Sequence, residues 1–326
     1  MREIIRLFPE PFQLRLKQEV DWNKVQELRV RVNQPIEVLD RHQHRSLGSQ
    51  LVEPKDVTYM LNQISQFSLY RFKDELREGF ITVEGGHRVG LAGKANTVNE
   101  EVETLKHISF MNIRVARSTT GQAEQLLPYL MEEGRWCSTL LIGPPHSGKT
   151  TLLRGLAKSI STPQDGRQAS KVAIVDERSE LAASLRGVPQ LDVGRRTDVM
   201  DACPKAEGMM MMIRSMSPEV LIVDEIGSEE DARAIHEATL TGVEVICSVH
   251  GDRLEKVKKR PSVEKLVREQ IFERFIVLHR IRPGQAGTIR ILNARGEMMA
   301  ECKGGLDPGA VGRGSYHFNR YNMDRV

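Results

Sequence analysis

Four stretches of nearly unbroken aliphatic residues constrain this chain more than anything else in its sequence. They are 139–142 (Thr-Leu-Leu-Ile), 172–175 (Val-Ala-Ile-Val), 220–223 (Val-Leu-Ile-Val) and 243–249, where Val243, Val245, Ile246, Cys247 and Val249 dominate. A strand with one wet face alternates apolar and polar side chains, whereas a strand buried on both faces does not. Helical spacing over 149–160 separates the first run from the second, and over 229–240 the third from the fourth. Buried strands alternating with helices specify an α/β fold with a mostly parallel sheet, covered on both faces.

The preceding 118 residues are organised differently. Glu27-Leu28-Arg29-Val30-Arg31-Val32 alternates as a half-buried strand does, and Gln34-Pro35 closes it. Helical spacing over 57–70 places Val57, Met60, Leu61, Ile64, Phe67 and Leu69 mostly on one face. Two short apolar strands flank Gly85-Gly86 within 80–93, the pattern of a hairpin. An acidic bend is expected over 99–103 and a further strand over 108–115, and Ser118-Thr119-Thr120-Gly121 reads as a hinge. The expected organisation is a smaller α+β domain over 1–118, the α/β domain over 119–303 and a loose, Gly-rich tail over 304–326. Four consecutive methionines, Met209 to Met212, read as adaptable helix packing.

Composition narrows the function classes. Of 326 residues, 40% are hydrophobic and 28% charged, which excludes a wholly disordered chain. Lys and Arg number 47 against 44 Asp and Glu, and a net charge of +3 lacks the broad positive field of a dedicated nucleic-acid binder. Cys137, Cys203, Cys247 and Cys302 are spaced for neither a zinc cage nor a disulfide framework, which suits a reducing cytosol. The aliphatic runs are strand-sized, so no membrane span is expected. Met1-Arg2-Glu3-Ile4-Ile5 lacks the pattern of a secretion signal, and a soluble cytoplasmic protein is the expectation.

Gly143-Pro144-Pro145-His146-Ser147-Gly148-Lys149-Thr150 joins the first aliphatic run to the helix after it. Its glycines let the backbone turn so that successive N–H groups face one point, and the helix start adds partial positive charge. That is a cradle for phosphate, and Gly-x4-Gly-Lys-Thr in this context is the Walker A spacing of a P-loop. These eight residues with the adjoining Thr151 form the expected ATP-binding set. Lys149 can reach the β- and γ-phosphates, and the Thr150 hydroxyl can hold Mg²⁺.

Hydrolysis also needs an acid for the metal and a base for water. Asp224-Glu225 closes the third aliphatic run, at the sheet edge where the phosphate loop emerges. Alternation along a strand turns the two side chains in opposite directions, so Asp224 is assigned to Mg²⁺ and Glu225 to general base. Asp176-Glu177, with Glu180 following, ends the second run, and His250 ends the fourth. Parallel strands deliver their C-terminal tips to one rim, so Lys149, Glu177, Glu225, Ser248 and His250 are expected to converge there. For Asp176, Glu177 and Glu180 the competing reading is capping of a following helix. For His250 it is an ordinary structural histidine.

With these residues set out, the chain resembles the RecA-like secretion ATPases of type II and type IV systems. Thr241-Gly242, followed by an apolar strand ending in Ser248-Val249-His250, resembles their His box. Asp176-Glu177-Arg178-Ser179-Glu180 resembles their acidic box, and 218–225 their second carboxylate strand. Over most of its length the chain is similar to the stage III sporulation protein AA family of endospore-forming bacteria. The residues that carry this are 27–31, Gly85-Gly86-His87-Arg88-Val89-Gly90, Asn112-Ile113-Arg114-Val115-Ala116-Arg117, 143–150 and 218–227. The resemblance implies a RecA-like P-loop ATPase with ATP and Mg²⁺ as cofactors, assembled as a homo-oligomeric ring, a hexamer. It also implies a place on the mother-cell side, at the cytosolic face of a membrane channel complex leading to the forespore. The chain departs from the secretion family at Asp224, where Gly is usual, at Gly227, where Arg often follows, and at Val243, the first His of the His box.

Ring ATPases of this class complete their sites with arginines from another domain or subunit. Arg88 matches the position of such a residue in the secretion family, and Arg114 and Arg117 lie on the strand leading to the hinge. Ordinary surface charge is the alternative for all three. Arg195-Arg196, ahead of an expected helical stretch, is a further candidate across a subunit boundary. Three other functions compete. A nucleic-acid-dependent ATPase draws on Lys256-Val257-Lys258-Lys259-Arg260 with Arg313, Arg320 and Arg325, but no interleaved aromatics offer base stacking, which disfavours nucleic acid. A nucleotide-gated scaffold without turnover is disfavoured by the Asp224-Glu225 pair. A small-molecule kinase lacks a legible acceptor lid after the phosphate loop.

Overall fold

The computed structural model describes residues 1–40, 43–65, 73–98, 100–116, 123–163, 167–279, 288–303 and 318–320. The chain forms two compact units, Met1–Arg117 with Ala183–Gln190, and Ser118–Ala182 with Leu191–Val326. The hinge expected at 118–121 lies outside the described residues, as do Arg117, Arg313 and Arg325.

The first unit contains helices α1 (Arg2–Ile5), α2 (Glu10–Glu19), α3 (Pro54–Ser65) and α4 (Lys73–Glu78). Its strands are β1 (Glu27–Arg31), β2 (Pro35–Leu39), β3 (His44–Leu51), β4 (Phe80–Val83), β5 (His87–Val98) and β6 (Glu101–Arg114). They make one antiparallel sheet in the order β3-β2-β1-β6-β5-β4. Leu28 and Val30 alternate inward with Ile36, Val38, Ile81, Val89, Met111 and Ile113, and Phe12, Leu16, Val57 and Met60 from the helices close over them, with Phe8 from the bend between α1 and α2. Each such side chain removed from water contributes about 1.5–3 kcal/mol. The Gly85-Gly86 hairpin forms as expected, with Gly86 N–H bonded to Val83 O and both glycines at positive φ. The helix expected over 57–70 begins earlier, at Pro54, and is described to Ser65; 66–70 lie outside the described residues. The acidic bend is shorter than expected. Glu100 turns through a left-handed backbone, and Glu101 already pairs with Val98, so 101–114 is one strand.

The second unit opens with a 3₁₀ turn at Glu124–Tyr129 and a small ladder of β7 (Met131–Glu132) with β8 (Arg135–Trp136). It continues through β9 (Thr139–Gly143), α5 (Lys149–Ser161), β10 (Val172–Asp176), β11 (Thr197–Asp201), α6 (Lys205–Met216), β12 (Val220–Val223), α7 (Glu229–Leu240) and β13 (Glu244–His250). Helices α8 (Leu254–Val257) and α9 (Pro261–Arg268) precede β14 (Arg274–His279), β15 (Thr288–Asn293), β16 (Met298–Lys303) and β17 (Phe318–Arg320). The sheet order is β11-β10-β12-β13-β9-β14-β15-β16-β17. Strands from β11 to β14 are parallel, and β15, β16 and β17 extend the edge antiparallel.

The continuous apolar runs serve both faces of this sheet. Leu141, Ile174, Ile222 and Ile246 pack with Leu152, Leu153, Leu156 and Ile160 of α5. Their neighbours Leu140, Ile142, Val175, Leu221, Val223 and Val245 pack on the other face with Met209 and Met212 of α6, Ile235 of α7 and Leu266 of α9. The methionine run is therefore helix packing, with Met211 turned outward. Helix α7 starts where it does because Ser228 Oγ accepts the Asp231 N–H while Asp231 accepts the Ser228 N–H, a reciprocal cap.

The structure corrects three expectations here. No helix follows β10, since 177–191 is turns and bends, so Asp176, Glu177 and Glu180 do not cap one. Arg195-Arg196 leads into strand β11 rather than a helical stretch. The sheet is larger than the four expected runs: β14 adds a buried strand beside β9, although Phe275-Ile276-Val277-Leu278 has the same aliphatic character. Residues 318–320 of the tail pair with β16; the rest of 304–326 lies outside the described residues.

Candidate active site

The phosphate loop is positioned by β9, the strand between β13 and β14. Gly143 ends it where a Cβ would stand 2.4 Å from Ser147 Oγ and 3.1 Å from Leu278 Cβ. Pro144 follows, Pro145 and His146 form the exposed tip, and Gly148 at φ 90° is the N-cap of α5. Only glycine adopts that backbone freely. Lys149, 4% exposed, turns its ammonium inward to Gly143 O at 3.0 Å, Pro144 O at 3.3 Å and His250 Nδ1 at 3.2 Å. Glu225 Oε1 lies 3.9 Å away. Burial pulls the Lys149 pKa below its ordinary value, against the upward pull of Glu225 and Asp224. Because Nδ1 of His250 accepts from Lys149, its proton belongs on Nε2, which faces Glu225 Oε1 at 3.6 Å.

Thr150 Oγ1 donates to Asp224 Oδ2 at 2.6 Å, while Thr151 is half-buried on the next position of α5. Asp224 Oδ1 accepts from the hydroxyl of Ser248, which is fully buried. Ser248 Oγ in turn accepts the Glu225 N–H at 3.0 Å. Asp224 and Glu225 do address different partners, but strand alternation is not the cause. Strand β12 stops at Val223, and Glu225 adopts a left-handed backbone, φ 50°, that swings its carboxylate to Lys149 and His250. A non-glycine residue held there costs of order 1–3 kcal/mol and clusters at functional sites.

The structure thus brings together Lys149, Thr150, Asp224, Glu225, Ser248 and His250. Glu177 does not join them: its carboxylate pairs with Lys205 at the start of α6. Arg88 and Arg114 belong to the first unit, where the Arg88 guanidinium lies 3.4 Å from the Phe80 ring centroid and Arg114 Nε 3.6 Å from Glu27 Oε1. Arg196 donates to Ala169 O within its own unit. Asp176 is 2% exposed and accepts the N–H groups of Glu180 and Ala182, both at 2.8 Å. Burial pushes its carboxyl pKa up, with those N–H groups opposing.

Two residues carry more of this region than the sequence indicated. Arg154, buried on α5, donates to Leu181 O at 2.5 Å and Glu180 O at 2.8 Å, tying the phosphate-loop helix to the acidic loop. Its signal was a lone charge inside Leu152-Leu153-Arg154-Gly155-Leu156. Arg178 donates to Glu225 Oε2 at 3.2 Å, a contact that sequence spacing does not reveal.

The residues fit a magnesium triphosphate. Ser147 Oγ is buried without a hydrogen-bond partner among the described residues, in the crook of the loop. The start of α5 has no side-chain cap, which leaves its first-turn N–H groups for an anion. Thr150 and Asp224 supply the hard oxygens that Mg²⁺ prefers.

Known proteins agree with this architecture. Among solved structures, the Legionella pneumophila ATPase DotB superposes with a TM-score of 0.58 at 14% identity, covering 88% of this chain and 81% of that one. The pilus retraction motor PilT, solved with bound ADP, gives 0.57 at 12%, covering 87% and 82%. At such identities the likeness speaks for the fold alone, an α/β unit with a largely parallel sheet preceded by an antiparallel-sheet domain. Stage III sporulation protein AA of Bacillus subtilis (strain 168) is 46% identical over 306 residues, 93% of this chain and 99% of that protein. A family model described as sporulation stage III, protein AA matches residues 2–299. From the phosphate loop to the N-terminal sheet, the chain belongs to the stage III sporulation protein AA family.

Proposed function

We propose that this protein is a Mg²⁺-dependent ATPase that works as a homo-oligomeric ring, a hexamer. It acts from the cytoplasm at the mother-cell face of a membrane channel complex leading to the forespore, which its hydrolysis energises or assembles. The observation that carries the enzymatic part is the cluster at Lys149. A buried ammonium, a Thr-Asp pair suited to a divalent cation and a carboxylate beside a histidine meet at one phosphate loop. Family membership supports the sporulation role, and the solved neighbour PilT holds ADP on the same fold. No helix of the described residues is long and apolar enough to cross a membrane, so attachment to a channel complex is assigned to surface contacts.

Each residue then has a task. Residues 143–151 bind the phosphates through their N–H groups and Lys149. Thr150 and Asp224 hold Mg²⁺, which when bound neutralises phosphate charge and orients the reacting oxygens. Glu225 takes the proton of the attacking water. His250 orients Lys149 and Glu225 together, and Ser248 fixes Asp224 while holding the Glu225 backbone. Glu177 stands as a reserve carboxylate, and Arg88 and Arg114 of the N-terminal domain (1–118) offer positive charge to the site of a neighbouring subunit's ATPase domain (119–303).

The test is nucleotide binding and phosphate release by the full-length chain, with and without Mg²⁺, beside Lys149→Ala. The expected result is Mg²⁺-dependent release in the parent, with neither binding nor release in the variant. A parent chain that binds no nucleotide, or a variant that retains both properties, removes the reading. Molecular mass with and without a non-hydrolysable ATP analogue tests the ring, and a strictly monomeric chain would sink it.

A further inference from the structure

The arginines considered for the phosphate site from sequence all lay in other domains or across subunit boundaries. The second unit itself places a guanidinium at the Lys149–Glu225–His250 group. Arg178 Nη1 lies 3.2 Å from Glu225 Oε2, while the other oxygen of that carboxylate stands 3.9 Å from Lys149 Nζ and 3.6 Å from His250 Nε2. Arg178 and the phosphate-loop lysine therefore flank the same carboxylate, one on each oxygen.

The Arg178 side chain is 65% exposed, and as a surface ion pair it contributes little to stability. What sets it apart is the backbone beneath it. The buried Asp176 carboxylate holds the N–H groups of Glu180 and Ala182. Ser179, at φ 50°, donates to Asp201 Oδ1 at 2.7 Å at the end of β11. Arg154 of α5 donates to Glu180 O and Leu181 O. The loop bearing Arg178 is thus tied to β10, β11 and the phosphate-loop helix at once. Tying a segment this firmly costs conformational entropy, which a solvated surface charge does not require. A solvent-open guanidinium on a fixed loop, beside the carboxylate assigned to the attacking water, is a preorganised charge for an anion.

We propose that Arg178 contacts the terminal phosphate of ATP, supplied in cis by the loop that follows β10. The assignment rests on the ATPase reading above and deepens it, because it names the residue that distinguishes ATP from ADP. Arginine suits the task through its planar, permanently charged fork of N–H donors. Its contact with Glu225 gives it a second use, holding the general base close to the phosphate that the base's water attacks.

The experiment titrates fluorescent ADP and a fluorescent non-hydrolysable ATP analogue into the full-length chain with Mg²⁺. The variants are Arg178→Ala, Arg178→Gln and, as a surface-charge control on α7, Arg233→Ala. Both Arg178 variants are expected to lose about 10-fold or more in analogue affinity, the size of a charge-assisted hydrogen bond, with ADP affinity unchanged. Their kcat is expected to fall by about 10²- to 10³-fold. Unchanged ADP affinity also certifies that they fold, and Arg233→Ala is expected to match the parent throughout. If both Arg178 variants keep the parent's ratio of analogue to ADP affinity, the assignment is overturned. That holds even if kcat falls, since Arg178 would then act only through Glu225. A parent chain that binds neither nucleotide overturns the ATPase reading and this assignment together, and it does so before any variant is compared.

Discussion

Thr150 and Asp224, 74 residues apart in sequence, share a hydrogen bond of 2.6 Å that joins the first turn of α5 to the end of β12. Asp224 spends its other oxygen on Ser248, so each carboxylate oxygen has a fixed partner. Asp224→Asn keeps the shape and an acceptor but removes the charge. The Mg²⁺ concentration needed for half-maximal phosphate release is expected to rise about 10- to 100-fold. An unchanged Mg²⁺ titration would assign the ion to other ligands.

Glu225 is reached by Lys149, His250 and Arg178, and its left-handed backbone is held by Ser248. Glu225→Gln is expected to bind ATP and retain it, with turnover reduced about 10²- to 10⁴-fold, the usual range for losing a general base. Single-turnover phosphate release measures this. Release at the parent rate would move the base to another carboxylate, with Glu177 the first to examine.

Arg154 satisfies two carbonyls of the acidic loop from a position 7% exposed. Arg154→Met fills similar space but leaves those carbonyls unpaired, at a cost of about 3 kcal/mol. A denaturant midpoint equal to the parent's would show that water or a local shift replaces the guanidinium.

His87 is buried in the first unit between Glu3, 3.1 Å from Nε2, and the Ala116 N–H, which donates to Nδ1 at 2.9 Å. Burial lowers its pKa below the ordinary 6.5, against the upward pull of Glu3. On acidification the unfolded chain takes up a proton at its ordinary value, and the folded unit only at lower pH. The unfolded state therefore binds more protons in that window, and stability present above it declines as pH falls through it. Thermal midpoints between about pH 8 and 5 should fall less steeply in His87→Gln, which keeps an acceptor for Ala116. Parallel curves would remove His87 as the titrating group.

Gly93 stands at the register shift between β5 and β6, where a Cβ would lie 2.6 Å from His107 O and 2.7 Å from Ile108 Cα. Both obstacles are backbone, so Gly93→Ala must part the strands, at about 1–3 kcal/mol. Equal melting temperatures for variant and parent would show that the ribbon bends to admit it.

Each segment's own chemistry was legible in the sequence. The runs at 139–142, 172–175, 220–223 and 243–249 became β9, β10, β12 and β13, because a stretch without polar interruption must bury both faces wherever it lies. The phosphate loop and the starts of α5 and α7 were equally local, written in Gly143, Gly148 and the Ser228–Asp231 cap. Strand β11 is not legible in the sequence because Thr197-Asp198-Val199-Met200-Asp201 is a partly wet edge with no clean period.

Tertiary structure alone decided which partners those segments meet. Periodicity says which face of a strand is apolar, but not that β9 will lie between β13 and β14, since strand order follows from burial summed over distant segments. The turn of Glu225 into left-handed backbone, the pairing of Glu177 with Lys205, and the reach of Arg178 to Glu225 all depend on that order. Sequence supplied the reactive groups and the rim on which they stand. Their mutual distances arose only when non-local packing fixed loops that have no preferred shape of their own.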